Sequence, residues 1–323
     1  MLNSNLKIVG IIMETIEINE FKDLSYGENI HQPAVISPVP DGLDYEIMGE
    51  NDDLEYLDFL NMTKAVEVLA EFFDVSACSL SNEAKLCAVA LGISSDVAFG
   101  KILENDPVSV AGGTVCFSKE VTNDIALQLK AMKVRNVLAP SYDKVALDYL
   151  IKCTGLHVIK IKSPLQELLG FNTKDIKVTP FGYLIQEQNT SKLTKSSFKV
   201  AGKIKPTQQL AEDAIFAWKI AKFSKSKVAV VVKDLATKAI VQGEKNLADA
   251  AENAMDISCE SSKESVLAVD GVIEQEEVIN AAIQGRVGLI IEAGDSEKSD
   301  KIVKLADKYN ICIINTGIRN NRY

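Results

Sequence analysis

Histidine is scarce in this 323-residue sequence, which contains only His31 and His157. A structural zinc site takes its ligands from cysteine and histidine at short, regular spacings, and none of the six cysteines forms a Cys-x-x-Cys pair. The cysteines lie mostly within apolar segments, where a reduced thiol packs as a small hydrophobic group. The sequence therefore predicts neither a histidine-based zinc site nor a disulfide framework.

Long apolar runs and an excess of positive charge are also missing. No run is long enough to span a bilayer, and the apolar patch at 8–13 is too short for the hydrophobic part of a signal peptide. The formal net charge of −10 supplies no obvious basic face for the phosphates of a nucleic acid. We therefore expect a cytoplasmic protein whose partners are small molecules or other proteins, with neither a nucleic acid nor a membrane among them.

What the sequence does contain is an alternation of strand and helix patterns, which is typical of an α/β fold. Its length indicates about two domains. The patterns predict a first α/β subdomain at 23–161, an irregular linker at 162–204 and a second α/β subdomain at 205–323. The residues before them, 1–22, are predicted to be a tail or a short strand.

The clearest single element surrounds the only tryptophan, Trp218. Apolar residues cover most of the circumference of this helix, and the remaining stripe carries lysines at intervals of three residues: Lys219, Lys222 and Lys225. Thr207 is suited to cap the start of the helix, and the β-branched run 228–232 predicts a central strand directly after it. The pattern predicts a nearly buried helix that delivers Ser226 and Lys227 to the edge of a strand.

Other elements follow from periodicity alone. A short strand is expected at 76–80, followed by a helix through Ala84, Cys87, Ala90 and Leu91. The remaining predicted helices are 53–73, 122–132, 144–152, 246–255, 276–284 and 300–309. The remaining predicted strands are 114–117, 136–139, 157–161, 182–186, 237–241, 266–269, 287–292 and 311–315.

Two pieces of the chain have the same order of elements. Residues 136–161 and 288–315 each contain an apolar strand, an acidic turn, a helix and a second apolar strand. Strand–helix–strand units are common, so the similarity indicates two related α/β units only weakly.

Two loops carry unusual composition. The segment 24–33 is either a surface loop, in which Gly27 supplies the turn, or a ligand loop that brings together four polar side chains: Tyr26, Asn29, His31 and Gln32. The segment 106–113 ends in paired glycines, which permit close approach of the backbone to another group.

Four short motifs, together with the tryptophan helix, resemble one known family. They are Tyr-Gly-Glu-Asn-x-His-Gln at 26–32, Asp-Pro-Val-Ser-x-x-Gly-Gly at 106–113, Ala-Pro-Ser at 139–141 and Thr-Gly-x-Arg at 316–319. In this order they resemble the transformylase portion of the AICAR transformylase/IMP cyclohydrolase family. The cyclohydrolase portion of that family has no counterpart in these residues.

The resemblance implies a fold and a reaction. The fold is a pair of cytidine-deaminase-like α/β subdomains in an intertwined homodimer. The reaction is formyl transfer to the amine of AICAR, with 10-formyltetrahydrofolate as co-substrate. The implied substrate-binding residues are Tyr26, His31, Ser109, Gly112, Gly113 and Arg319. The resemblance also implies potassium near Ser224, Ser226 and Asp270, although Asp270 is equally explained as a turn residue at the end of a strand.

The sequence departs from the family at the positions that carry the chemistry. When the family's Lys-His-x-Asn-Pro-Cys-Gly motif is aligned on Cys87, Asn82 and Glu83 occupy the positions of the catalytic lysine and histidine. Around the nucleotide site, several more positions differ: Ser25, Ala111, Arg135, Lys227, Glu244 and Glu276. Because cations are lost and carboxylates are gained, the resemblance predicts a weakened phosphate site.

Three hypotheses follow. The chain could catalyse the family reaction with Glu83 as a substitute base and Lys85 as the stabilising cation. It could instead be a non-catalytic paralogue that acts as a scaffold or a regulatory subunit, or it could bind a different small ligand in the old cleft. Asn82 and Glu83 fall at the start of the predicted helix, where capping explains them without catalysis, so we favour a structural role for both.

Overall fold

The computed structural model describes residues 21–39, 42–51, 53–171, 174–294 and 299–323. The tail or short strand predicted at 1–22 lies outside these ranges except for its last two residues. The first strand of the structure begins at Lys22, inside this predicted segment.

The first half of the chain alternates strands and helices, as the periodicity predicts. Its elements are β1 (Lys22–Leu24), β2 (Ala34–Ile36), β3 (Tyr45–Met48), α1 (Tyr56–Ala70), β4 (Ser76–Asn82), β5 (Lys85–Gly92), α2 (Ser95–Asn105), α3 (Pro107–Val110), β6 (Thr114–Phe117), α4 (Asn123–Ala131), β7 (Asn136–Ala139), α5 (Lys144–Leu150) and β8 (His157–Ile161).

A looser segment and a second α/β half follow. Their elements are β9 (Asp175–Thr179), β10 (Gly182–Gln186), β11 (Lys199–Val200), α6 (Gln208–Phe223), β12 (Val228–Lys233), β13 (Ala236–Gln242), α7 (Leu247–Ser258), β14 (Val266–Val269), α8 (Glu276–Gln284), β15 (Leu289–Glu292), α9 (Ser299–Lys308) and β16 (Cys312–Asn315). Short 3₁₀ turns lie at Leu165–Gly170, Lys195–Ser197 and Cys259–Ser262.

Within the described residues, twelve strands form one mixed sheet in the order β11-β16-β15-β14-β12-β13-β5-β4-β6-β7-β8-β3. Read outward from its centre, each half has the same pairing: a hairpin, an antiparallel neighbour, two parallel strands and an antiparallel edge strand. The α/β class is confirmed. The repeat seen in two segments extends to the whole of both halves, and the two halves meet where β5 pairs antiparallel with β13.

The helix predicted after residue 81 is wrong. Residues 85–92 form β5, which pairs with β4 through a tight turn at Glu83 and Ala84, whose φ angles are +50° and +55°. Two successive residues at positive φ are the signature of a two-residue hairpin turn. Sequence reasoning failed because Ala88, Val89 and Ala90 are all buried, so this strand shows no polar alternation and its alanines favour a helix.

The helix capping predicted for Asn82 and Glu83 is therefore wrong. Asn82 is the last residue of β4, and Glu83 is the first residue of a hairpin turn. Neither residue lies at a helix N-terminus. The next helix along the chain is α2, which periodicity did not predict and which Ser94 caps through its side chain.

Helices cover both faces of the sheet. On one face, α1 and α6 pack side by side in a single apolar cluster that includes Leu69, Phe216 and Val230. On the other face, the helices of each half cover their own strands in two further clusters, around Phe117 and Val231 respectively. The strands are therefore buried on both sides, as expected for the central strands of an α/β sheet.

The tryptophan helix α6 is confirmed in position and burial. Thr207 accepts a hydrogen bond from the backbone N–H of Leu210 and caps the helix as predicted. Lys222 binds the carboxylate of Glu71 at 3.0 Å, and Lys219 donates to the carbonyl of the same residue at 3.0 Å. The predicted lysine stripe thus joins α6 to the end of α1.

The predicted linker contains the hairpin β9–β10, which lies outside the twelve-stranded sheet, and β11, which is an edge strand of that sheet. The strand predicted at 182–186 is confirmed as β10, which pairs only with β9, and all five of its residues are exposed. The domain boundaries at 161–162 and 204–205 stay a prediction. Among the described residues, no helix is both long and apolar enough to cross a membrane.

Candidate functional site

The turn between β4 and β5 is held by side-chain hydrogen bonds. The amide nitrogen of Asn82 donates to the carbonyl of Ser109 at 3.1 Å, and its amide oxygen accepts from the backbone N–H of Glu83 at 2.9 Å. The next residue, Ala84, donates to the side chain of Asn61 in α1 at 2.8 Å. Asn82 is therefore a turn-forming residue with both ends of its amide occupied.

The paired glycines lie directly against this turn. A Cβ atom at Gly113 would come within 2.7 Å of the carbonyl oxygen of Ser109 and within 3.1 Å of that of Ser81. Gly112 has a φ of +73°, which favours glycine. The close approach predicted for these glycines is confirmed at Gly113, where the neighbouring group is the protein backbone, whereas a Cβ atom at Gly112 would meet no atom within 4 Å.

Four charged or polar side chains line the same edge of the first half. Arg135 contacts Asp58 at 3.2 Å and Glu55 at 3.8 Å. The Tyr26 phenol hydrogen-bonds the Glu55 carboxylate, which raises the pKa of the phenol. The backbone N–H of Arg135 donates to the Gly113 carbonyl at 3.0 Å. Because Gly113 lies against the hairpin turn, this charged cluster adjoins the turn.

A polar network that is buried except at Asp53 lies next to this edge, and sequence reasoning missed it. The ring of His157 contacts Asn136 at 2.8 Å and Asp53 at 2.7 Å. Asn136 in turn donates to Asp58 at 2.7 Å and to Thr114 at 2.9 Å. The His157 hydrogen bond lowers the pKa of Asp53. His157, Asn136 and Thr114 are the first residues of three adjacent strands, and this shared position is the signal that could have identified them.

The six predicted substrate residues lie in three places. Ser109, Gly112, Gly113 and Tyr26 belong to the first-half cluster. His31 is exposed in its loop, which closes on itself through a Gly27 N–H bond to the Gln32 carbonyl at 2.7 Å.

Arg319, the sixth, lines a cavity of about 450 Å³ in the second half. This cavity has two further cations, Lys227 and Lys245, and one carboxylate, Glu274. The loops that precede α7 and α8 form part of its wall. The full lining is Lys227, Lys245, Asn246, Leu247, Gly271, Val272, Glu274, Gln275, Val278, Arg319 and Asn321.

The residues implied for potassium are close together and rich in oxygen. Asp270 is fully buried; one carboxylate oxygen accepts from the Asn320 N–H at 2.9 Å, and the other has no hydrogen-bond partner. Burial raises the pKa of Asp270. Ser226 accepts from the Arg322 N–H at 3.1 Å, and buried Ser224 donates to the Ile220 carbonyl at 3.1 Å. Oxygen donors and one orphaned buried carboxylate oxygen fit a hard monovalent cation.

No clustering of His, Cys, Asp and Glu suited to a multidentate metal site occurs in the part of the chain that the structure describes. The Asp270 site is built differently, from one carboxylate and two hydroxyl groups.

Cys87 is the one residue of the family's catalytic motif retained near the turn, and it is predicted to be unreactive. Burial raises the pKa of its thiol to about 11, so at pH 8 only about one thousandth is the reactive thiolate. We expect iodoacetamide at pH 8 to modify exposed Cys259 well before Cys87, as read by peptide mass spectrometry. The rate at Cys87 should rise about tenfold per pH unit up to pH 10.

Unfolding in urea serves as the control, because all six cysteines should then react at similar rates. Equal labelling of Cys87 and Cys259 in the folded protein at pH 8 would show that the Cys87 thiolate is stabilised.

Comparison with known proteins adds independent findings. A family profile described as AICARFT/IMPCHase bienzyme matches residues 4–257. The bifunctional purine biosynthesis protein PurH of Caldicellulosiruptor bescii is 33% identical over 315 residues, which are 96% of this chain and 60% of that protein. PurH of Aquifex aeolicus is 29% identical over 317 residues, which are 96% of this chain and 61% of that protein. The chain thus spans about three fifths of the length of the curated relatives it matches.

A solved structure described as "protein ybgI, unknown function" aligns with 62% of this chain and 72% of its own, at 11% identity and a TM-score of 0.16. That similarity is too weak to bear on the fold.

Proposed function

Because the chain belongs to the AICARFT/IMPCHase bienzyme family, we propose that it is a purine-biosynthesis protein of the AICAR transformylase type. It binds a nucleotide- or folate-like ligand. It does not transfer formyl groups by the family's Lys-His mechanism. The observation that carries this proposal is the turn at Asn82 and Glu83, where the family has its catalytic pair.

Formyl transfer needs two groups at that turn. A base must accept a proton from the attacking amine, and a cation must stabilise the negative charge that develops on the formyl oxygen. The Asn82 amide is neutral and already bonded at both ends. Glu83 is exposed to solvent at the turn and carries a carboxylate where the family has an imidazole. Neither residue therefore supplies what the family's pair supplies.

Ligand binding has firmer support than catalysis. Tyr26, Ser109 and the two glycines form one continuous edge with the turn, and Arg319 faces a cavity large enough for a small metabolite. We place 10-formyltetrahydrofolate and AICAR among the candidate ligands, and we propose a cytoplasmic homodimer of two α/β subdomains, 23–161 and 205–323, joined by the 162–204 linker.

Potassium is the proposed cofactor. Ser224, Ser226 and Asp270 would hold it, and it would neutralise the buried Asp270 carboxylate. Its role in this chain is to keep the C-terminal segment in place, because Asp270 and Ser226 bind the N–H groups of Asn320 and Arg322 on either side of the cavity residue Asn321.

Binding is tested by thermal unfolding in the presence of AICAR, IMP or 10-formyltetrahydrofolate. At a ligand concentration of 100 Kd, the free energy of unfolding should rise by about 2.7 kcal/mol, which is seen as a higher Tm. Tyr26→Phe should reduce the effect because it removes the hydroxyl of a predicted substrate residue. Tyr149→Phe, a matched change at a partly exposed tyrosine on α5, should leave it unchanged. If none of the three ligands alters Tm, the proposed binding function is wrong.

A further inference from the structure

The ring of His157 is fully buried and has a hydrogen-bond acceptor on each side. Its Nδ1 atom lies 2.8 Å from the amide oxygen of Asn136, and its Nε2 atom lies 2.7 Å from the carboxylate of Asp53. A neutral imidazole has one N–H group and can donate only one hydrogen bond. Two acceptors therefore require a proton on both ring nitrogens, once the orientation of the Asn136 amide is fixed.

Asp58 fixes that orientation. Its carboxylate accepts from the Asn136 amide nitrogen at 2.7 Å and pairs with Arg135 at 3.2 Å. Turning the amide over would bring its oxygen against the carboxylate, so that two acceptors would face each other. The second hydrogen of the amide is directed at the hydroxyl oxygen of Thr114, at 2.9 Å. The Asn136 oxygen therefore faces His157, and Nδ1 must donate to it.

The other partner of the ring, Asp53, is an ionised carboxylate. The hydrogen bond from His157 lowers the pKa of Asp53, so this side chain has no proton to give to Nε2. The Asp53 side chain is 75% exposed, whereas His157 and Asn136 are fully buried. We propose that His157 is a buried imidazolium whose bond to Asp53 is a pH-dependent latch between β8 and the segment that precedes α1. The latch does not depend on any ligand.

The Asp53–His157 latch holds the start of α1. Asp53 lies two residues before Glu55, which is the N-cap of α1 and the hydrogen-bond partner of Tyr26. When the ring loses a proton, Nε2 releases it, because exposed Asp53 can turn to water and buried Asn136 cannot. The proton goes to solvent, and the segment 53–55 is no longer tied to β8.

The other titratable groups around the ring come from the neighbouring elements. They are Glu55, Asp58 and Tyr26 at the start of α1, Arg135 before β7, Lys152 and Cys153 in the turn before β8, and Tyr45 and Glu46 of β3, which pair with the far end of β8. Arg135 is already paired with Asp58 and Glu55. Asp53 is therefore the counter-ion of the ring.

The latch opens in both directions of pH. An ordinary aspartate takes up a proton near pH 3.9, at about its reference value. Because the pKa of Asp53 is lowered, the stability that Asp53 contributes is present above that value and is lost as the pH falls through the lowered pKa. As the pH rises, the latch opens when His157 releases its second proton.

The test is nuclear magnetic resonance of the full chain with ¹⁵N-labelled histidine, which reports the protonation of each ring nitrogen. The chain has only two histidines, so His31→Gln assigns the signals. At pH 7, both ring nitrogens of His157 should carry a proton. Asp53→Asn should lower the pH at which His157 gives up one of them. Asp148→Asn, the same change at an exposed aspartate of α5, should leave that pH unchanged.

Amide hydrogen exchange across the same pH range reports the latch itself. Protection of the amides at 55–59, relative to their intrinsic exchange rates, should fall about fivefold when His157 loses its second proton, because one hydrogen bond of ordinary net strength is lost. The amides of α4, which is capped by Thr122, should keep their protection over the same range.

Protons on both ring nitrogens, together with protection at 55–59 that depends on Asp53, support the inference. A single protonated ring nitrogen in His157 at pH 7 overturns it. Protection at 55–59 that stays constant through the titration overturns it as well, as does an equal effect of Asp53→Asn and Asp148→Asn. No ligand is added in these experiments, so their outcome is independent of the proposed binding function.

Discussion

The purified chain is expected to form product from AICAR and 10-formyltetrahydrofolate at least about 10⁴-fold more slowly than a relative that carries the Lys-His pair. A positioned general base contributes about 10²–10⁴ in rate, and one group that stabilises an oxyanion contributes about 10²–10³. Groups that act as a unit are not additive, so the low end of the combined range is the appropriate expectation. A family member that carries the Lys-His pair is the reference enzyme, with formylated product measured by mass spectrometry.

Two variants locate the cause of the expected loss. Asn82→Lys/Glu83→His places the family's pair on the same hairpin turn and should raise any measurable rate. Glu83→Gln should leave the rate of the unchanged chain as it is. Turnover within about tenfold of the reference enzyme would contradict the proposal, and its loss in Glu83→Gln would identify Glu83 as a substitute base.

Asp58→Ala is expected to lower the free energy of unfolding by about 3 kcal/mol, because it leaves partners of a largely buried carboxylate without an acceptor. Asp58 is only 4% exposed. It accepts hydrogen bonds from the Asn136 amide at 2.7 Å and the Glu55 N–H at 2.9 Å, and it pairs with Arg135 at 3.2 Å. The Asn136 bond matters most because Asn136 is fully buried and cannot turn to water.

Urea denaturation measures this effect, and Asp148→Ala, at an exposed position on α5, is the matched control, with an expected change within about 0.5 kcal/mol. A loss below about 1 kcal/mol in Asp58→Ala would mean that the network rearranges around the missing carboxylate. The same variant should also lower the affinity for ligand in the thermal assay, since Arg135 and Glu55 lie beside Tyr26.

Elements in both halves were predictable from sequence where the period is clear and the boundary distinct. The strands at 114–117, 136–139 and 157–161 in the first half, and the strand at 266–269 and the helix at 276–284 in the second, have the predicted bounds. In the first half, β5 was predicted as a helix. Its alanine-rich, doubly buried segment carries no period of two, and the turn that defines it uses Glu83 and Ala84 rather than the glycine or asparagine that usually marks a two-residue hairpin.

The site was less predictable than the fold. Motif comparison found Ser109 and the two glycines, which the structure places together, because close backbone contact restricts which residues fit. The comparison of motifs identified Lys227 only as a replacement of the family's asparagine. The tertiary structure was needed to show that Lys227, Lys245 and Arg319 line the same cavity. The network around His157 was missed for the same reason: its members are separated by 21 to 104 residues along the chain.

The junction between the two halves has the geometry of a dimer interface contained within one chain. At this seam Ala90 pairs with Ala236, and the Thr237 hydroxyl accepts from the Val89 N–H at 3.0 Å. The same strand of each half, β5 or β13, forms the seam, and two identical edges that pair antiparallel are related by a two-fold axis. Such a layout is what gene duplication and fusion of a self-associating half-length ancestor would leave behind. Once the halves were fused, each could diverge independently of the other.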